Sequence, residues 1–279
     1  MQDLEFSLPA LTLAGWQKGP ITSSVTLCLH GWLDNANSFL PLSEYLPHLN
    51  LVALDLPGHG RSQHRSIDAH YHFLDWIYDL ATLIKTQGWQ QVDIVGHSMG
   101  GMIGSVLAAV MPQMVRKLVL IDSIGLVTAE ADNTTEQLRS AIKHRWQSPL
   151  KQKPVYKDLQ SAANARQSQS DFALATALLL AERGTVQCSG GLTWSADMRL
   201  RESSAYRLSE QQGMQFISDI QCPVLAILAS DGLEMMQEAK LKFQHGYRQL
   251  KLLETTGGHH CHMTQPEPIA LALSEFLLS

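Results

Sequence analysis

The chain has 279 residues, enough for one large α/β domain or a core domain that carries an insertion. Its 45% hydrophobic and 17% charged residues exclude a disordered chain, and a formal net charge of −5 leaves no electrostatic footprint for nucleic acid. Residues 1–20 lack the basic and apolar regions of a secretory signal, and no run approaches about 18 continuous apolar residues, so the expectation is a soluble, cytoplasmic protein with no membrane partner.

In chain order, Leu4–Leu13 can supply an antiparallel strand pair. Aliphatic and β-branched runs then follow at Val25–Leu29, Leu51–Leu54, Val92–Val95, Lys117–Ile121, Val224–Leu228 and Leu250–Leu253. They alternate with helical patterns, the signal for a mostly parallel sheet with helices on both faces. Phe73, Trp76, Ile77, Leu80, Leu83 and Ile84 recur at helical spacing, with Gly88 as the stop. Ser98–Met111 is a small-residue helix ended by Pro112. Roughly a hundred residues then pass before the strand at Val224, which predicts an insertion. Thr134 with Gln137 predicts a capping box there, Asp171–Arg183 a helix ended by Gly184, and Ser189–Ser204 a looser segment. The expected division is a core of residues 1–126 and 219–279 with a mostly helical cap over 127–218. Pro266 and Pro268 open a last helix with Ile269, Leu273, Phe276 and Leu277 as its apolar stripe.

Three motifs carry chemistry. Gly96-His97-Ser98-Met99-Gly100 fits G-x-S-x-G directly after a strand and before a helix. There the glycines permit a sharp turn that presents the serine Oγ at the sheet edge. Ser98 is therefore the candidate nucleophile. Leu29-His30-Gly31-Trp32 ends another strand, where an oxyanion hole would be built from the backbone N–H groups of Trp32 and Met99. His30 and Gly31 are candidate substrate-binding residues beside it. Gly257-Gly258-His259 follows the last strand, and His259 is the candidate general base, because a serine hydroxyl is a weak nucleophile until a base takes its proton. The neighbours His260 and His262 read as packing or loop-bonding residues. The His259-His260-Cys261-His262 cluster also has zinc-ligand chemistry, but consecutive residues do not converge easily on one tetrahedral ion, so no metal and no cofactor are expected.

The acid that orients His259 has two candidates. Asp122 ends the Lys117–Ile121 strand and Asp231 follows Val224–Leu228. Asp122 is preferred slightly, since Asp231-Gly232 is also an ordinary turn dipeptide. Asp55, in Leu54-Asp55-Leu56-Pro57-Gly58-His59-Gly60, reads as a hydrogen-bonding anchor. Cys28, Cys188, Cys222 and Cys261 are scattered and read as free thiols.

Together these motifs resemble the α/β-hydrolase superfamily over essentially the whole chain. The runs His30–Ala36, Arg183-Gly184-Thr185, Gly191-Leu192 to Leu200, and His259 to Met263 with Pro266 resemble the serine hydrolase-like (kraken-type) family. The resemblance implies a helical cap over a Ser-His-Asp site, and the serine at the elbow sets the chain apart from the dehalogenases and epoxide hydrolases that attack with aspartate. The expected activity is hydrolysis of a small ester or thioester, with the acyl substrate as partner. The competing expectation is a ligand-binding or signalling protein that keeps the fold without turnover.

Overall fold

The structure, a computed structural model, describes residues 1–21, 24–148 and 151–279. Of the inserted stretch, residues 149 and 150 lie outside the described ones. Two antiparallel strands open the chain, β1 (Gln2–Ser7) and β2 (Thr12–Lys18). The second runs past the expected end at Leu13, because Trp16 is fully buried and Gly15–Lys18 pairs with the strand at Asn50–Leu54.

The aliphatic runs become β3 (Val25–Leu29), β4 (Asn50–Leu54), β5 (Val92–His97) and β6 (Val115–Ile121), with the short helix α1 (Leu40–Ser43) between β3 and β4. The helices α2 (Phe73–Thr86) and α3 (Met99–Val110) cover one face. After the insertion come β9 (Val224–Asp231), α8 (Glu234–Phe243), β10 (Leu250–Gly258), α9 (Cys261–Thr264) and α10 (Pro266–Leu278). The sheet order is β1-β2-β4-β3-β5-β6-β9-β10, parallel from β4 to β10.

Side chains alternate across these strands, so a buried parallel strand must be apolar on both faces. In β5, Val92 and Ile94 join one cluster with Leu80, Leu83 and Ile103 from α2 and α3. Val95 joins a separate cluster with Leu42, Ile269, Leu273 and Leu277 from α1 and α10. This two-sided burial is why the strands read as unbroken aliphatic runs.

The insertion contains α4 (Thr134–Gln147), α5 (Leu159–Gln167), α6 (Leu174–Gly184), the hairpin of β7 (Thr185–Cys188) and β8 (Gly191–Trp194), and α7 (Glu210–Asp219). The predicted capping box at Thr134 does not form. Thr134 Oγ1 donates to the Ala131 carbonyl and Gln137 donates to Ser204, so neither side chain caps the helix. A capping box is made instead by Ser209 and Gln212 at the start of α7. The stretch read as loose holds the β7–β8 hairpin, whose turn needs positive φ at Gly190. The helix α7 lies against α3, and its Ile217 joins the main core cluster, so by contact it is a crossover helix between β6 and β9.

The rest of the insertion is fastened to the core by polar contacts. Asn35 Nδ2 donates to the Leu180 carbonyl at 2.8 Å and Asn37 Nδ2 to that of Leu179 at 2.9 Å. Arg183 Nε lies 2.8 Å from Asp55 Oδ2, with both side chains almost fully buried. Asp55 also accepts the backbone N–H groups of Ala36 and Arg61, the anchoring role read from the sequence. Breaking a buried pair from one side leaves an uncompensated charge. Arg183→Met should therefore destabilise the protein by about 3–5 kcal/mol, and Arg183→Met with Asp55→Leu should cost less than the sum of the two single changes, because the lost pair is counted once. Urea titration of the three variants checks this, and strictly additive losses would contradict it.

Candidate active site

The parallel strands place their C-terminal ends along one edge, where ligands of open α/β sheets bind. Ser98 stands between β5 and α3 at φ +50° and ψ −118°, a conformation that costs energy for a residue with a Cβ. The flanking glycines are required by contact. A Cβ at Gly96 would lie 2.4 Å from the Gly101 nitrogen, and one at Gly100 would lie 2.0 Å from the Leu29 carbonyl oxygen. Met99 is the first residue of α3, so its N–H has no acceptor four residues back in the helix.

His259 follows β10, and its Nδ1 is 2.6 Å from Asp122 Oδ2. Asp122 ends β6 at φ +38°, fully buried, and its Oδ1 accepts the Ala229 N–H at 3.0 Å. A charged carboxylate fixes the Nδ1–H tautomer and leaves Nε2 able to accept a proton. Among the described residues no hydrogen bond joins Ser98 Oγ to His259, an arrangement that often tightens only when substrate binds. Asp231 is not brought to the histidine. It is exposed, and Ser230 Oγ donates to its carboxylate at 3.1 Å. Of the two acids offered by the sequence, the structure brings Asp122 and not Asp231 to His259.

The turn after β3 differs in part from expectation. His30 is held within the turn. Its ring is fully buried, Nδ1 donates to the Gly31 carbonyl at 2.7 Å and Nε2 accepts the Leu56 N–H at 3.0 Å. Burial lowers its pKa, so it stays neutral in that tautomer. Gly31 is also buried, packed where a Cβ would come 2.9 Å from His97 Nδ1. Both residues thus shape the turn that carries Trp32. Trp32 is 49% exposed, and its indole Nε1 donates to the Leu200 carbonyl of the insertion.

A second set of residues surrounds His259. His97 is fully buried with Nε2 2.9 Å from the His259 carbonyl, and the two rings are 4.6 Å apart. His260 sits between two carboxylates, with Nδ1 2.6 Å from Asp171 Oδ1 and Nε2 3.3 Å from Asp34 Oδ2. Arg166 from α5 reaches Asp34 Oδ1 at 2.8 Å. Burial alone would lower the His260 pKa, but the Asp34 charge and the bonds to Asp171 outweigh it and raise it to about 9. Burial and the His260 charge push His262 the other way, to about 3. Burial, opposed by the His260 and Arg166 charges, leaves Asp34 ionised well below the usual carboxylate range.

The four consecutive side chains at 259–262 thus face different partners, and burial raises the Cys261 thiol to about 12. The role of His260 was not legible in the chain, because Asp34, Arg166 and Asp171 are far apart in sequence and no local pattern links them.

A family model described as the alpha/beta hydrolase fold matches residues 25–266. Serine hydrolase-like protein 2 of Homo sapiens is 31% identical, with 99% of this chain and 94% of that protein covered. The chain belongs to the serine hydrolase-like family of α/β-hydrolases. It is a hydrolase by class. A hypothetical protein of Pseudomonas aeruginosa PAO1, solved by crystallography, is 33% identical with a TM-score of 0.93 over 100% of both chains. A thioesterase domain from the curacin biosynthetic pathway is 25% identical with a TM-score of 0.83, over 100% of this chain and 99% of that one. Among the described residues, no helix is long and apolar enough to cross a membrane.

The His260 cluster has a pH signature. Its raised pKa makes a stabilising contribution that is complete below the ordinary histidine value of about 6.5 and is lost as pH rises through about 9. The Tm of the wild type should exceed that of His260→Gln most at pH 6, and the gap should narrow by pH 10. A gap that widens with pH would contradict the assignment.

Proposed function

We propose that the chain is a serine hydrolase that cleaves a small carboxylic ester or thioester through an acyl-enzyme, with Ser98, His259 and Asp122 as its triad. The single observation that carries this reading is the buried Asp122 carboxylate on His259 Nδ1, placed at the same sheet edge as the strained Ser98 turn.

In this reading Ser98 Oγ attacks the acyl carbon while His259 Nε2 takes its proton. Asp122 holds the ring and stabilises the imidazolium without itself taking the proton. The carbonyl oxygen, now an oxyanion, is held by the N–H groups of Met99 and Trp32, which need no reorganisation as charge develops. His259 then protonates the departing alcohol or thiol. Water, deprotonated by the same nitrogen, releases the acid and restores Ser98. The similarity to the curacin thioesterase domain supports the thioester arm. Four unpaired cysteines agree with a cytoplasmic setting.

The inserted residues before α7, 127–209, supply the cap in this reading. Leu174 and Leu178 are only partly buried, on α6, whose Ala177 and Leu180 pack with Met263 of the histidine loop and with Phe172 just before the helix. With Trp32 and Met99 they would wall an acyl pocket that favours short or medium apolar chains.

A fluorophosphonate probe should label the wild type at Ser98 and leave Ser98→Ala unlabelled. Persistent failure to label would favour a ligand-binding protein of the same fold. Ser98→Ala and His259→Ala should reduce ester hydrolysis to the level supplied by binding and the oxyanion hole. Asp122→Asn should lower turnover by up to about 10⁴, while Asp231→Asn changes it little. Initial rates on p-nitrophenyl esters from acetyl to palmitoyl read all four variants and the chain-length preference. A reversed order of the two aspartates would move the acid to β9.

A further inference from the structure

His260 is buried, is hydrogen-bonded through Nδ1 to Asp171 Oδ1 at 2.6 Å, holds Nε2 in an ion pair 3.3 Å from Asp34 Oδ2, and is adjacent in the chain to His259. Its two partners belong to different parts of the fold. Asp34 lies two residues after Trp32, in the turn that follows β3. Asp171 lies in the insertion just before α6, and its Oδ2 also accepts the His260 backbone N–H at 3.1 Å. Arg166, on α5, donates to Asp34 and lies over the Phe172 ring, whose neighbour is Asp171. One imidazole therefore joins the cap, the turn that carries the Trp32 N–H and the loop that carries the base.

We propose that His260, clamped between Asp34 and Asp171, is a positioning residue that couples cap docking to the alignment of His259 and the Trp32 N–H with Ser98. The inference rests on the ester or thioester reading above. A neutral imidazole has one N–H and could turn it to only one of the two carboxylates, whereas the imidazolium presents an N–H and a positive charge to both. Loss of that proton releases the ring from one carboxylate, so that either the oxyanion turn loses its tie to the base loop or the cap keeps only the bond from the His260 backbone N–H.

The charged and titratable groups facing His260 agree with that state. Asp34 and Asp171 are close and ionised. His97 and His262, whose rings lie 5.1 and 6.3 Å away, are held uncharged by burial and by the His260 charge itself. His259 lies 5.1 Å away with Asp122 beyond it, and Arg166 sits on the far side of Asp34. Misplacement of a reacting group by about 1 Å can cost about 10² in rate, so the clamp acts on turnover more than on substrate affinity.

The test compares the wild type with His260→Gln, His260→Lys and Asp171→Asn on one p-nitrophenyl ester across pH 5–11, with Ser98 labelling by fluorophosphonate in parallel. His260→Gln should lower kcat about 10²-fold with KM within about threefold. The wild type should lose kcat as pH rises through about 9, and His260→Gln should lack that limb. His260→Lys should recover part of kcat and move the limb upward. Asp171→Asn, which leaves the buried ring in place, should lower kcat about tenfold, so the result does not depend on His260→Gln folding well. Full kcat in both His260→Gln and Asp171→Asn, or an alkaline limb unchanged by substitution at 260, would overturn the clamp while labelling of Ser98 upholds the hydrolase. A wild type that neither labels nor turns over would overturn both.

Discussion

Asp34, Asp55 and Asp122 are buried at the C-terminal edge of the sheet, and each carboxylate needs a partner brought from a distant part of the chain. An unpaired buried charge costs far more than a fold of this size can spare. Asp55 takes Arg183 from the insertion, Asp34 takes His260 and Arg166, and Asp122 takes His259 and the Ala229 N–H. Satisfying the three charges draws the insertion, the His259–His262 loop and the turn after β3 together at one edge. The site is assembled as a condition of burying its own acids.

Backbone strain falls at the same edge. Ser98 and Asp122 both have positive φ without being glycine, and each sits at the end of a central strand fixed on both sides by neighbouring strands. Such strain persists only where surrounding structure over-determines it. Here the Ser98 N–H donates to the Ile121 carbonyl and the Asp122 N–H to that of Ile227, so each turn is pinned to the next strand. The rigid sheet absorbs the cost and the turns present their side chains.

The histidines divide by environment rather than by type. His30, His97 and His262 are buried without a carboxylate at hydrogen-bond distance and stay neutral, and their ring nitrogens, where engaged, meet backbone groups. His260 gains two carboxylates and holds a proton. Chemically identical rings therefore stay neutral where burial acts alone, with His30 and His97 held by backbone groups, and carry charge where two carboxylates meet them.

The sequence by itself determined the sheet, the strand ends and the serine turn, because these depend on local patterns. Aliphatic runs such as Val25–Leu29 and Val92–Val95 are apolar on both faces only if both faces are buried, and Gly96 and Gly100 flank Ser98 because no larger residue clears Gly101 and Leu29. Only the tertiary structure brought Asp122 rather than Asp231 to His259, buried the His30 ring within its turn and gave His260 its two acids. Those outcomes depend on which strand end faces which loop across the sheet edge. Residues 34, 122, 171 and 260 meet through long-range packing, and neither periodicity nor spacing along the chain encodes that meeting.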